Sequence, residues 1–225
     1  MTDRLRLVIF DVDGTLVDSQ ASILGAMAEA FAACDLPAPD RAAILGIVGL
    51  SLDHAMARLV PDQPAAMQAR LVAGYKDAFH AQRLAATAAP LLYPGARAQL
   101  DRLAARDDLL LGVATGKSQR GLDALLEALG MEHTFVTRQV ADHHPSKPHP
   151  SMLLTALAET GVDANDAVMI GDTTYDMDMA RAARVTGIGV SWGYHAPTAL
   201  TAARRVIDRF DDLPGAIDEI WEETA

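Results

Sequence analysis

Two carboxylates, Asp11 and Asp13, stand one residue apart directly after the apolar run Leu7-Val8-Ile9-Phe10, and Gly14-Thr15-Leu16 follow them. A buried strand running into Asp-x-Asp-Gly-Thr delivers acidic side chains to its carboxyl end, where open α/β sheets bind ligands. Neighbouring carboxylates repel each other, so such a site calls for a cation. Oxygen-only ligation suits Mg2+ better than a softer metal. Asp and Gly are also ordinary turn residues, so a solvated turn is the lesser alternative for the pair taken alone.

Three more stretches carry polar chemistry at the ends of apolar runs. Thr115-Gly116-Lys117-Ser118 follows Leu109–Ala114. A hydroxyl, a glycine that admits close approach and helix-terminal amides make an anion site. The plainer roles are an N-cap for Ser118 and a solvated charge for Lys117. In Ser146-Lys147-Pro148 the flanking prolines stiffen a loop and position its lysine. His143, His144 and His149 share that loop but lack the spacing of a helical ligand pair, so they read as surface residues. Gly171-Asp172-Thr173-Thr174-Tyr175-Asp176 follows Ala167–Ile170 and brings two more carboxylates. Asp176 is also suited to favour a helix N-terminus through its dipole.

The elements that must hold these groups are legible as hydrophobic periodicity. Strands are predicted over the runs ending at Phe10, over 109–114, at Phe135-Val136, over 167–170 and 186–190, and at the edge around Val206-Ile207. Helices are predicted over 95–105, over the face Leu122, Leu125, Leu126 and Leu129 with Gly130 as C-cap, over 152–160, over 175–184, and over the stripe Leu213, Ile217, Ile220 and Trp221. Between the first two strands lie three apolar stripes at helical spacing: Ile23, Leu24, Met27 and Phe31; Leu52, Met56, Leu59 and Val60; Met67, Leu71, Tyr75 and Phe79. A parallel crossover needs one helix, which 95–105 supplies, so these stripes predict an inserted helical domain over the carboxyl end of the first strand. The fold expected is α/β: a doubly wound parallel sheet formed by 1–16 and 85–225, with a small α-helical cap at 17–84.

Composition narrows the function classes. With 225 residues, half of them hydrophobic, one sizeable domain and a small second one can each bury a core. The formal charge of 19 − 30 = −11 argues against nucleic-acid and anionic-membrane partners. Cys34 is the single cysteine, which excludes an intrachain disulfide, and its Ala-rich helical setting predicts a small buried residue. The opening residues are too short an apolar run for a signal peptide and no stretch approaches a membrane span. A cytoplasmic protein is the expectation.

In order and spacing, these four stretches resemble the four signature motifs of the haloacid dehalogenase superfamily, over essentially the whole chain. The helical insert is similar to the cap of its phosphoglycolate phosphatase and β-phosphoglucomutase branch. The resemblance implies Asp11 as nucleophile forming an aspartyl-phosphate and Asp13 as general acid and base. It implies Thr115, the Gly116 amide and Lys147 on the phosphoryl oxygens. Mg2+ would be held by Asp11, the Asp13 carbonyl and Asp172, with Asp176 in support. Because the position two after the nucleophile is acidic, dehalogenation is not expected. Thr173 stands where many relatives carry serine.

The expected activity is therefore a Mg2+-dependent phosphatase acting on a small phosphorylated metabolite, with phosphoglycolate the first substrate to try. The alternatives are a phosphomutase on a sugar phosphate and a non-catalytic phosphate-ligand-binding protein. Oligomeric state, monomer or homodimer, is left open. The cap holds Arg41, Arg58, Arg70, Lys76 and Arg83 against seven acids, which predicts isolated cationic contacts, not a basic field. Val48-Gly49-Leu50-Ser51 resembles a cap segment that faces the core, and it reads equally well as a helix start capped by Ser51.

Overall fold

The computed structural model describes residues 4–86 and 89–223. Six strands form one parallel sheet: β1 (Arg6–Phe10), β2 (Leu109–Thr115), β3 (Thr137–Val140), β4 (Ala167–Gly171), β5 (Thr186–Val190) and β6 (Arg205–Ile207). Their spatial order is β3-β2-β1-β4-β5-β6. The chain builds outward from β1 through β2 and β3, then returns to the other side of β1 with β4. The order therefore reverses between β1 and β4, and the crevice beyond their carboxyl ends is the place where such sheets bind ligands.

Alternation along β1 divides the core into two layers. Val8 and Phe10 point to the layer covered by α5 (Ala96–Ala104), α6 (Gln119–Leu129) and α9 (Leu213–Glu223), with Leu100, Leu126, Ile217 and Trp221 buried there. Leu7 and Ile9 point to the opposite layer, under α7 (Ser151–Thr160) and α8 (Thr174–Ala183), with Leu153, Met169 and Met179. The strands need no polar face because helices cover both sides. Gly130 and Gly161 end α6 and α7 in the left-handed conformation expected of C-caps.

Between β1 and β2 the chain forms α1 (Gln20–Ala32), α2 (Arg41–Leu45), α3 (Leu52–Leu59) and α4 (Ala65–Ala85). These helices bury a core of their own, including Met27, Phe31, Met56 and Leu71. α4 packs along α1, with Gly74 facing Ala30. The chain leaves and re-enters the sheet domain side by side. Val17 bridges Leu92, the Asp18 amide donates to the Leu91 carbonyl at 2.9 Å, and the Tyr93 amide to that of Leu16 at 3.0 Å.

Three expectations need correction. The strand expected at Phe135-Val136 begins at Thr137 instead, because the β2 ladder engages from Gly112 opposite Thr137. Phe135 is a core residue ahead of the strand and Val136 is exposed. β3 reads Thr-Arg-Gln-Val, too polar to register as apolar, and its polar side chains are answered by Glu159 of α7. α2, one turn and a half capped by the Asp40 carboxylate on the Ala43 amide, is too short to leave a periodic signal. Cys34 is half-exposed, not buried, because it lies just past the end of α1, at the margin of the insert's core. Among the described residues no helix is long and apolar enough to cross a membrane.

Candidate active site

Each acidic motif sits where its strand ends. Asp11 follows β1, and its amide donates to the Ile170 carbonyl of β4 at 2.9 Å, so the two central strands hold its backbone. Asp172 follows β4, and the Asp176 side chain points back from the first turn of α8. Oxygens of Asp11, Asp172 and Asp176 lie within 4.8 Å of one another, and all three residues are buried. Three carboxylates this close in a dry place repel strongly.

The sequence supplies partners for most of their oxygens. Lys147, itself buried, donates to Asp11 Oδ1 at 2.8 Å and to Asp176 Oδ1 at 2.6 Å. The other Asp176 oxygen accepts the Thr173 amide at 3.1 Å and hydroxyl at 2.7 Å, in a capping box that starts α8. Asp172 accepts the Thr15 hydroxyl at 2.9 Å and the Tyr194 amide at 2.8 Å. Asp11 Oδ2 is left without a hydrogen-bond partner although buried. Burial pushes the Asp11 carboxyl up to about 7, against the pull of Lys147, and Asp176 and Asp13 raise it further. Burial, then Asp176 and Asp11, also lift Asp172 well above the carboxylate range. Burial works against the charge of Lys147, but Asp11 and Asp176 outweigh it and hold the ammonium protonated.

An orphaned buried oxygen among carboxylates with raised pKa values fits a hard divalent cation. Asp11, Asp172 and Asp176 could hold one. The Asp13 carboxylate stands outside that group. Both of its oxygens accept Lys117 Nζ at 2.8 Å, and Lys117 also lies 5.1 Å from the centre of the Phe79 ring of α4. Lys117 is thus no free solvated charge.

Glycines set the spacing. A Cβ on Gly14, whose φ is +86°, would lie 2.3 Å from an Asp172 oxygen. One on Gly116 would lie 2.7 and 2.8 Å from the carbonyl oxygens of Leu50 and Gly49 in the helical insert. The segment Val48–Ser51 therefore does face the sheet, and the Ser51 amide donates to the Ser146 hydroxyl at 2.9 Å. Thr115 is buried beside them, its hydroxyl accepting the Lys117 amide at 3.2 Å. A cavity of about 270 Å³ runs from Asp11, Asp13, Thr115 and Gly116 along the seam between the insert and the sheet.

Two contributors left no motif. The Tyr194 hydroxyl accepts the Ser19 amide at 3.2 Å, opposite its amide's bond to Asp172. The Gly46 carbonyl, at the end of α2, accepts the Tyr175 hydroxyl at 2.8 Å and His195 Nε2 at 3.3 Å, while His195 Nδ1 accepts the Thr174 amide at 3.1 Å. That pattern needs neutral His195 with its proton on Nε2, and burial does lower its pKa. The only available signal was Gly193 between aromatic residues after a predicted strand, at the same sheet edge as the acids.

Comparison with known proteins gives this arrangement a family. The model of the haloacid dehalogenase-like hydrolases matches residues 8–190, and the chain belongs to that family. Its relatives include a "Probable phosphatase IndB" of Dickeya dadantii, 39% identical over 93% of this chain and 92% of that one. The phosphoglycolate phosphatase of Rhodospirillum rubrum is 35% identical over 92% and 89%. A hydrolase from Pseudomonas syringae superposes with a TM-score of 0.84 at 27% identity, over 96% of this chain and 99% of that one. The β-phosphoglucomutase of Clostridium difficile has the same fold, with a TM-score of 0.83 over 98% of each chain at 19% identity.

Proposed function

We propose that this chain is a Mg2+-dependent phosphatase of small phosphorylated metabolites, with phosphoglycolate the first candidate substrate, working through an aspartyl-phosphate. In this reading 1–16 and 85–225 form the catalytic core and 17–84 the cap. The observation that carries it is a cavity lined by Asp11, Asp13, Thr115 and Gly116, in which Asp11 is tied through buried Lys147 to Asp176. Relatives named as phosphatases support it.

Asp11 attacks phosphorus through one carboxylate oxygen as the ester P–O bond breaks. The leaving oxygen takes its proton from Asp13, which must part from Lys117 to approach it. Water then attacks phosphorus, the bond to Asp11 breaks, and the Asp13 carboxylate accepts the water proton, restoring both residues. Thr115, the Gly116 amide and Lys147 neutralise and orient the phosphoryl oxygens, which is most of what phosphoryl transfer demands. Asp11, Asp172 and Asp176, with the Asp13 carbonyl, would hold Mg2+, which would supply positive charge against the phosphoryl group.

Phosphate release from a panel of small phosphoesters, with Mg2+ or with EDTA, tests this reading. Turnover that needs Mg2+ and falls by three orders of magnitude or more in Asp11→Asn is the expected result, on the scale of losing a covalent nucleophile (about 10³–10⁶). Undiminished turnover in Asp11→Asn or in EDTA overturns it. An absolute requirement for a bisphosphate activator would mark a mutase.

A further inference from the structure

The seam cavity has a second polar end. Lys76, Phe79, His80 and Arg83 fall at positions i, i+3, i+4 and i+7 of α4, so they share one face of that helix. All four line the cavity that also exposes Asp11. Arg120 reaches the same place from α6, one turn beyond Lys117. His80 is the meeting point: Arg83 approaches its Nδ1 at 3.0 Å and Arg120 its Nε2 at 3.1 Å.

That contact is frustrated. A neutral imidazole offers one acceptor nitrogen, so one guanidinium must face an N–H with its own N–H groups. A protonated imidazole would set three cations together. Among the described residues, Lys76, Arg83 and Arg120 make no ion pair. The nearby acids are engaged elsewhere: Asp13 with Lys117, Asp142 with the Gln119 amide, Asp123 with Arg138 and the Gln119 amide group. Asp53 lines the cavity from the first turn of α3 and forms no ion pair with this group among the described residues. The C-terminal dipole of α4 accounts for Arg83, which lies in its last turn, but not for Arg120 converging from another element.

We propose that His80, Arg83 and Arg120, with Lys76 beside them, form an oxyanion subsite that binds the non-transferred end of the substrate, so that the preferred esters carry a carboxylate or a second phosphate there. The inference rests on the phosphatase reading for the word "substrate". A distal oxyanion accepts N–H groups from both guanidiniums and removes the donor–donor conflict at His80. From Tyr75, which lines the cavity beside Asp11, to Arg83 the face of α4 rises about 12 Å, and about 7 Å to His80. The subsite therefore discriminates by spacer length as well as by charge.

Calorimetry on Asp11→Asn protein with Mg2+ tests it using matched ester pairs. These are 2-phosphoglycolate against 2-hydroxyethyl phosphate, 3-phosphoglycerate against glycerol 3-phosphate, and propane-1,3-diol bisphosphate against its monophosphate. At least one charged member should bind tenfold or more tightly than its neutral twin. The pair with the largest ratio identifies carboxylate or phosphate and the spacer. Adding Arg83→Gln or Arg120→Gln should bring that ratio close to one. Arg70→Gln, an exposed cation of α4 outside the cavity, should leave it intact. Ratios of kcat/KM for the same pairs in protein retaining Asp11 should follow the same pattern. Parity in every pair, or a preference that survives both Arg83→Gln and Arg120→Gln, overturns the subsite. A preserved charge preference with no hydrolysis of any ester overturns the phosphatase reading alone. Hydrolysis with parity overturns the subsite alone.

Discussion

At the carboxyl edge of the sheet, four aspartates and two lysines are mostly buried and paired with one another or with hydroxyl and amide donors. Across the seam, Lys76, His80 and Arg83 of α4 and Arg120 of α6 are half-exposed or exposed, and His80 contacts both arginines. The first region is held by backbone: strand ends, a capping box, and glycines with no room for a Cβ. The second is held by rotamers. On the proposed reading, chemistry that must not vary is built where the fold is rigid, and recognition where side chains can adjust.

The most severe way to break the sheet-edge region is Lys147→Met. It leaves Asp11 and Asp176 buried without their cation, at a cost of about 3–5 kcal/mol. Thermal unfolding should move down by roughly 10 °C, at about 2–4 °C per kcal/mol for a chain of this size, and phosphate release should be lost with it. A variant as stable as wild type would show that the acids there need no lysine.

Metal should reverse the repulsion that burial creates. Mg2+ at a hundred times its Kd should stabilise wild type by about 2.7 kcal/mol, while Asp172→Asn should gain much less. In EDTA the pH dependence runs the other way from ordinary acid denaturation. Between about pH 4 and pH 7 the folded protein keeps a proton on Asp11 that the unfolded chain has released, and the raised Asp172 carboxyl acts in the same direction. Their contribution is full at low pH and is lost as pH rises through about 7. Metal-free Asp172→Asn should therefore gain on wild type as pH rises, measured by urea titration at several pH values. A constant difference would contradict the raised carboxyl.

A smaller effect is expected where the two regions meet. Gly116→Ala forces a methyl against the Leu50 and Gly49 carbonyls, which should cost about 1–3 kcal/mol in overpacking. It should also lower kcat/KM roughly tenfold to a hundredfold by displacing the cap from the phosphoryl site. The smallest is His195→Gln. Because His195 is buried neutral, the unfolded chain takes up a proton near pH 6.5 that the native protein refuses until lower pH. Its contribution is full above pH 6.5 and fades as pH falls, so the gap between wild type and His195→Gln should narrow toward pH 5.

The contrast also explains what was legible beforehand. Asp11, Asp172 and Asp176 are placed by strand ends a few residues away, so short stretches of sequence carry their positions, and the resemblance to known motifs adds their order. The sheet and the helical insert follow from apolar periodicity for the same reason. Lys117 was visible as a residue but not as a partner of Asp13, because that pairing spans two strand ends. Tyr194 and His195 gave no pattern at all. The union of Arg120 with His80 and Arg83 joins residues forty positions apart in sequence through packing of α4 against the seam, and pairwise periodicity has no means of showing it. β3 escaped because its ladder is made by polar residues.

The paired strands at the foot of the insert have a consequence for chain entropy. Since Val17 and Leu92 already lie opposite each other, held by hydrogen bonds between their neighbours, the sheet experiences everything between them as one loop whose ends are closed. The cost of closing a loop grows only with the logarithm of its length. Closing the insert therefore costs the sheet only about 3 kcal/mol more than closing a two-residue turn. The catalytic edge is left free to keep its geometry while whatever stands above it is lengthened, shortened or exchanged.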